Sequence, residues 1–183
     1  QRLATRGSIG ILSDGYWLTP APTGRDHRES RKENQNMSAS PSGTRRHGVI
    51  ALIRRGRRWL VIRRSEFVEA PGACCFAGGG VETGETEREA LCREVAEELG
   101  VTGHPVRRVW ESTTTWGIRL SWWLVAVPRA ARIVPDPREV AEVHWLTLEQ
   151  VRLLPDLLTS NRAFLEAWQA GAFSLPGEST DHH

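Results

Sequence analysis

Residues 78–101, GGGVETGETEREALCREVAEELGV, join three consecutive glycines to a helix-forming run that carries seven glutamates across the whole stretch. No other stretch restricts the fold as tightly. Thr86 followed three residues later by Glu89 has the spacing of a capping box, and Gly100 stands where a left-handed helix stop belongs. A helix over 86–99 is predicted between them. Leu91, Val95 and Leu99 recur every four residues and form its apolar stripe. At about 100° per residue, Glu98 falls about 40° to one side of Glu94 and Glu97 about 60° to the other. Three carboxylates therefore share one arc beside the apolar stripe, with Glu98 at its edge. Like charges at these spacings cost a helix about 0.2–0.5 kcal/mol per pair, and partial burial adds several kcal/mol per ion. Arg93 is one positive charge against three. A hard divalent cation offsets them better, because Mg²⁺ takes oxygen ligands and keeps positions for water and phosphate oxygens.

The remainder reads as a mixed sheet with a few helices. "HGVIALIRR" (47–55) and "RWLVIRR" (58–64) flank Gly56 and are predicted to form a hairpin. Arg54, Arg55, Arg57 and Arg58 crowd its tip, the composition of a solvated hairpin end. A short strand is expected over 73–77, two long ones over 104–115 and 118–128, and another over 141–146. Helices follow at 148–154 and 160–170, on either side of Pro155. Hairpins outnumber regular βαβ units, so the expected class is α+β, an α/β/α sandwich on a mixed sheet.

Charge is informative once the chain is divided at Met37, its only methionine. Residues 1–36 carry six basic and four acidic side chains, and residues 37–183 carry eighteen of each. A neutral folded part argues against a nucleic-acid partner held by bulk charge. No run reaches the roughly eighteen apolar residues of a membrane span, and no secretory signal pattern is present, so a cytoplasmic protein with no membrane partner is expected. Cys74, Cys75 and Cys92 fit neither zinc spacing nor a disulfide framework and read as buried thiols on a strand and a helix. Residues 1–46 show no sustained period and are rich in Gly, Pro, Ser, Thr, Arg and Asn, the composition of a disordered leader. Lys32-Glu33, three codons before Met37, can be encoded by a purine run of the kind that recruits bacterial ribosomes. Translation is expected to start at Met37, which makes 1–36 upstream sequence. Residues 47–170 then form the folded domain and 171–183 a flexible tail.

Gly79, five residues, Glu85, seven residues and then Arg93-Glu94-Val95-Ala96-Glu97-Glu98-Leu99-Gly100-Val101 resemble the Nudix box at every defining position. The strand order across 47–170 is similar to the fold of that family, including its mutator-type branch. The resemblance implies a hydrolase of nucleoside diphosphates linked to another group, using Mg²⁺, with Mn²⁺ as a substitute. It implies that Glu94, Glu97 and Glu98 bind metal together with a backbone carbonyl near Gly78 or Gly79, and that Arg93 holds a glutamate in place. Ala77 departs from the pattern, since most members have proline there. The general base varies in this family; Glu139 is the expected one, with Glu142 and Glu97 as alternatives. "LVIRRSEF" is similar to the nucleotide-contacting strand of mutator-type nucleoside triphosphate hydrolases, which implies a substrate role for Arg64. "LLTSNRAFLEAW" is similar to the start of their last helix, which implies that Asn161 reads a purine, against a simple capping role with Ser160. Of the adjacent Trp122 and Trp123, one must face away from the other; Trp122 is expected to stack on a base, and Gly78 to line the phosphates. The expected substrate is a nucleoside triphosphate, including oxidised purine nucleotides. An ADP-ribose or nucleotide-sugar pyrophosphatase is the alternative chemistry. A Nudix-fold regulatory module that binds nucleotides without turnover is the alternative class. A monomer or homodimer is expected.

Overall fold

The computed structural model describes residues 46–177. The expected leader, its proposed start at Met37 and the end of the expected tail lie outside the described residues. In chain order the elements are β1 (His47–Leu52), β2 (Arg54–Arg55), β3 (Arg58–Arg64), β4 (Cys74–Cys75), β5 (Ala77–Gly80), α1 (Glu87–Leu99), β6 (His104–Thr113), β7 (Arg119–Ala126), β8 (Val140–Leu146), α2 (Leu148–Arg152) and α3 (Thr159–Gln169). One sheet has the order β5-β1-β7-β6, with β1 parallel to β7 and the other pairs antiparallel. In the second, β3 pairs antiparallel with β2, β4 and β8.

The expected hairpin is corrected here. Only Arg54 and Arg55 pair with the start of β3, whereas β1 lies between β5 and β7. Val49 through Ile53 are buried without interruption, and a run apolar on both faces belongs inside a covered sheet. Alternation along the strands then divides the core in two. Ile50, Leu52, Trp59, Val61 and Trp122 meet Phe164, Leu165 and Trp168 of α3. Val49, Ala51, Leu60, Ile62 and Ala77 meet Ala90, Leu91, Val95 and Leu99 of α1. Helices thus cover both faces, as an α/β/α sandwich requires.

The capping box at Thr86 and Glu89 is formed in both directions, and Gly100 ends α1 with φ 64°. Cys74 and Cys75 are buried free thiols, but Cys92 is exposed. It lies on the outer side of α1, one position beyond Leu91, and donates to the Gly103 carbonyl. Among the described residues, no helix is long and apolar enough to cross a membrane.

Candidate active site

The glycine loop and α1 meet at two contacts. Gly78, with φ 146°, donates its N–H to Glu98 Oε2 at 2.8 Å. A Cβ added to Gly78 would collide with the Val49 carbonyl oxygen, and one added to Gly79 would collide with the Glu94 carboxylate. Both glycines are therefore needed for closeness, to β1 on one side and to α1 on the other.

Arg93 joins these parts. It grips Glu85 with two hydrogen bonds, Nε to Oε1 at 2.9 Å and Nη2 to Oε2 at 3.0 Å. Nη2 also donates to the Gly80 carbonyl at 2.8 Å, and Nη1 bridges Glu94 at 2.7 Å and Glu97 at 3.2 Å. The glutamate that Arg93 was expected to hold is chiefly Glu85, whose carboxyl the guanidinium keeps below its ordinary pKa.

Burial pushes Glu94 up to about 7, against the pull of Arg93. Glu98, only 4% exposed, is raised well above the ordinary range by burial and then by Glu94; the Gly78 N–H and Arg64 oppose the shift. The charge of Glu139 raises both. Glu139 is placed there by two backbone ties: its carbonyl accepts from Ser65 N at 3.0 Å, and the nearby Asp136 N–H donates to the Glu98 carbonyl at 3.2 Å. Arg64, nearly buried, donates from Nε to the Glu69 carbonyl and faces the same carboxylates.

Glu94, Glu97, Glu98, Gly78, Gly79, Arg93, Arg64 and Glu139 thus converge on one end of α1. Glu142 does not join them: it pairs with Arg63 at 3.1 Å and His144 at 2.9 Å on the face away from α1. Trp122 is 0% exposed, stacks on Phe164 at 4.3 Å and donates to Ser112 Oγ. Its ring has no face free for a base, which corrects its expected stacking role. Its neighbour Trp123 points to the α1 face, where it donates to Glu87 and lies under the Arg88 guanidinium. Asn161 is 1% exposed; Oδ1 accepts from Phe76 N and Nδ2 donates to Ser160 Oγ, which spends the side chain on α3 and β4–β5. The sequence did not single out Ser65, which ties the Glu139 loop to β3; its partner lies 74 positions away, so no local signal marks it.

The donor set suits a hard cation, since it consists of carboxylate oxygens beside a backbone that glycine lets close in. Among the described residues no group of three acidic, thiol or imidazole side chains is already gathered to ligate. Arg93 holds Glu94 and Glu97 instead, and Glu97, being exposed, can swing away from it.

The two-sided sandwich, with an arginine-clamped acidic helix against a glycine loop, is an α/β/α domain whose carboxylate site suits a hard divalent cation. The chain belongs to the Nudix family: the model described as NUDIX domain matches residues 44–168. It is 30% identical over 128 residues to the NAD-capped RNA hydrolase NudC of Stutzerimonas stutzeri, covering 70% of this chain and 46% of that protein. It is 30% identical over 152 residues to the protein of the same name from Deinococcus radiodurans, covering 81% and 53%. The chain spans about half the length of the curated relatives it matches. Among solved structures it is similar to the MutT protein from Methanosarcina mazei Go1, with TM-score 0.60 and 26% identity over 73% of this chain and 99% of that one.

Proposed function

We propose that this chain is a divalent-metal-dependent pyrophosphohydrolase that cleaves the diphosphate linkage of a nucleoside diphosphate derivative. The observation that carries the proposal is the joint placement of Glu94, Glu97 and Glu98 against Gly78–Gly79, with Glu139 opposite. Magnesium held there, or manganese in its place, would neutralise the diphosphate oxygens and lower the pKa of an attacking water. Arg93 keeps Glu94 and Glu97 poised while clamping Glu85 and the loop. Glu139, carried on a loop tied to both β3 and α1, would accept the water's proton. Arg64 adds a fixed positive charge for the phosphates.

A nucleoside triphosphate remains one substrate of this chemistry. The burial of Trp122 and Asn161 weakens it, because both groups expected to read a purine are already engaged in packing. A dinucleotide linkage is the second reading, favoured by the two relatives named as hydrolases of NAD-capped RNA. The test is full-length protein with Mg²⁺ against nucleoside triphosphates, ADP-ribose and NAD, with products identified by mass. Glu97→Gln keeps the shape and removes one charge. It is expected to lower turnover about 10²–10³-fold, by analogy with removing one preorganised electrostatic group. Wild-type turnover in that variant would overturn the proposal.

A further inference from the structure

The aromatic side of the domain leaves no room for the nucleoside end of a substrate. Trp110 stacks with Phe173 at 5.2 Å, and both touch Phe164, which in turn covers Trp122. Asn161 is engaged by Phe76 and Ser160, so that side is closed by its own packing. The carboxylate site itself consists of charged groups and backbone, which suit phosphates and leave a base unsupported.

Loop 65–73, between β3 and β4, borders that site. It leaves β3 directly after Arg64 and folds back on it: the Gly72 N–H donates to the Arg64 carbonyl at 3.0 Å, and the Arg64 N–H to the Ala73 carbonyl at 2.9 Å. Two guanidinium groups hold its middle and end, Arg64 Nε on the Glu69 carbonyl at 2.6 Å and Arg63 Nη1 on the Gly72 carbonyl at 2.7 Å. Ser65 binds the loop to the segment that carries Glu139. Its N–H donates to the Glu139 carbonyl and its Oγ to the Arg138 carbonyl, while the same Oγ accepts from the Phe67 N–H at 3.2 Å. The backbone of Phe67 is therefore one hydroxyl away from the chain beside Glu139. This conformation carries two costs. Among the described residues, Ala70 is the one non-glycine with positive φ, at 52°, and it precedes Pro71, which restricts its backbone further. Glu69 Oε2 is buried with no hydrogen-bond partner among the described residues, which also lowers stability. The loop packs Ala70 into the α1-side core and yet leaves Phe67 73% exposed. A single exposed apolar side chain is ordinary; one raised by a strained and multiply tied loop at the edge of a carboxylate site points to a use. Trp116, the other large exposed aromatic, lies at the β6–β7 turn, and β1 separates those strands from β5.

We infer that Phe67 is a specificity-determining residue that stacks on the base of the substrate's nucleoside half, while Arg64, held by the same loop, meets the phosphates. The inference rests on the pyrophosphohydrolase reading for where the phosphates lie, and on the loop for the base. A ring fixed through its backbone offers a flat apolar face to any base, because every base has a π-face. Phe67 thus favours nucleoside-linked diphosphates over base-free ones and does not choose between purine and pyrimidine.

The test is titration calorimetry of full-length protein in Mg²⁺ with two probes whose bridging carbon blocks cleavage. One is α,β-methylene-ADP; the other is methylenediphosphonate, which keeps the paired phosphonates and lacks the nucleoside. Wild type should bind the nucleotide more tightly than the diphosphonate. Phe67→Ala should weaken nucleotide binding by about 5–150-fold, the range for losing one base–aromatic stack, and should bind methylenediphosphonate as wild type does. Phe67→Trp should restore nucleotide affinity, since it supplies another stacking face at the same exposed position. Equal nucleotide binding by wild type and Phe67→Ala, an equal loss of both probes, or no nucleotide binding by wild type would each overturn the inference. Phe67-dependent nucleotide binding in a protein that cleaves none of the nucleoside triphosphates, ADP-ribose or NAD would keep the base contact and sink the pyrophosphohydrolase reading instead.

Discussion

Gly79→Ala tests the claim that the loop and α1 are packed as closely as the site geometry requires. Gly79 does not have a left-handed φ, so alanine is permitted by the backbone, and the substitution should gain about 0.4–1 kcal/mol from a less flexible unfolded chain. The added Cβ, however, occupies the place of the Glu94 carboxylate. Glu94 must swing away and give up its 2.7 Å hydrogen bond to Arg93, a charged contact worth about 1.5–3 kcal/mol. The net cost is about 1–2 kcal/mol, or roughly 3–10 °C in melting temperature for a domain of this size. Activity should suffer more, since displacing a positioned group by about 1 Å costs on the order of 10²-fold in rate. Gly84→Ala is the control. Gly84 has φ 84° with nothing near its Cβ position, so alanine should cost about 1–3 kcal/mol of backbone strain and leave the carboxylates in place. The assay is thermal denaturation beside magnesium-dependent turnover for all three proteins. If Gly79→Ala keeps wild-type turnover, the loop does not need to close on Glu94 and the proposed site geometry is wrong.

Asn161→Ala leaves the buried Phe76 N–H without an acceptor and should cost about 1–3 kcal/mol of stability. KM for purine and pyrimidine substrates should change equally; selective loss of purine affinity would restore the base-reading role. Asp156 pairs with Arg63, which depresses its pKa. Its contribution to stability is therefore present above its unfolded value of about 3.9 and is lost as pH falls through the lower folded value. Acid titration of the melting temperature should show that loss in wild type and not in Asp156→Asn. The effect should be small, because the pair is about one-third exposed and screened by solvent.

What was legible in the sequence is what local spacing controls. The caps of α1, its apolar stripe and the grouping of Glu94, Glu97 and Glu98 depend on residues within one or two helical turns of each other, and the structure has all of them. The sheet to which β1 belongs was not legible, because an apolar run beside a glycine turn matches a hairpin as well as a central strand. That choice depends on β5 and β7, far along the chain. The orientation of Trp122 failed for a related reason: alternation places the two tryptophans on opposite faces without saying which face holds α1. Glu139 was placed near the box only by its loop position, and the tie that holds it there runs through Ser65, outside any motif.

The energetics of α1 tie these points together. Glu98 is almost fully buried beside Leu91, Val95 and Leu99, and the partners that counter its charge are one backbone N–H and the neighbouring Arg64. Removing a carboxylate from water costs several kcal/mol, and one hydrogen bond to a charged group returns about 1.5–3 kcal/mol. Glu94 adds a second, nearly buried carboxyl beside it, and the raised pKa of both is this cost expressed as a pull toward the neutral form. A glutamine at either position would fill the same volume, keep a hydrogen-bonding oxygen and avoid that cost. The opposite face of the sheet shows the economical solution, where Trp122, Phe164 and Trp168 close the core with uncharged rings. Since both solutions occur in one domain, the charge on α1 is not a by-product of packing. On the proposed function, it is stability given up where an arriving cation and a diphosphate would return it.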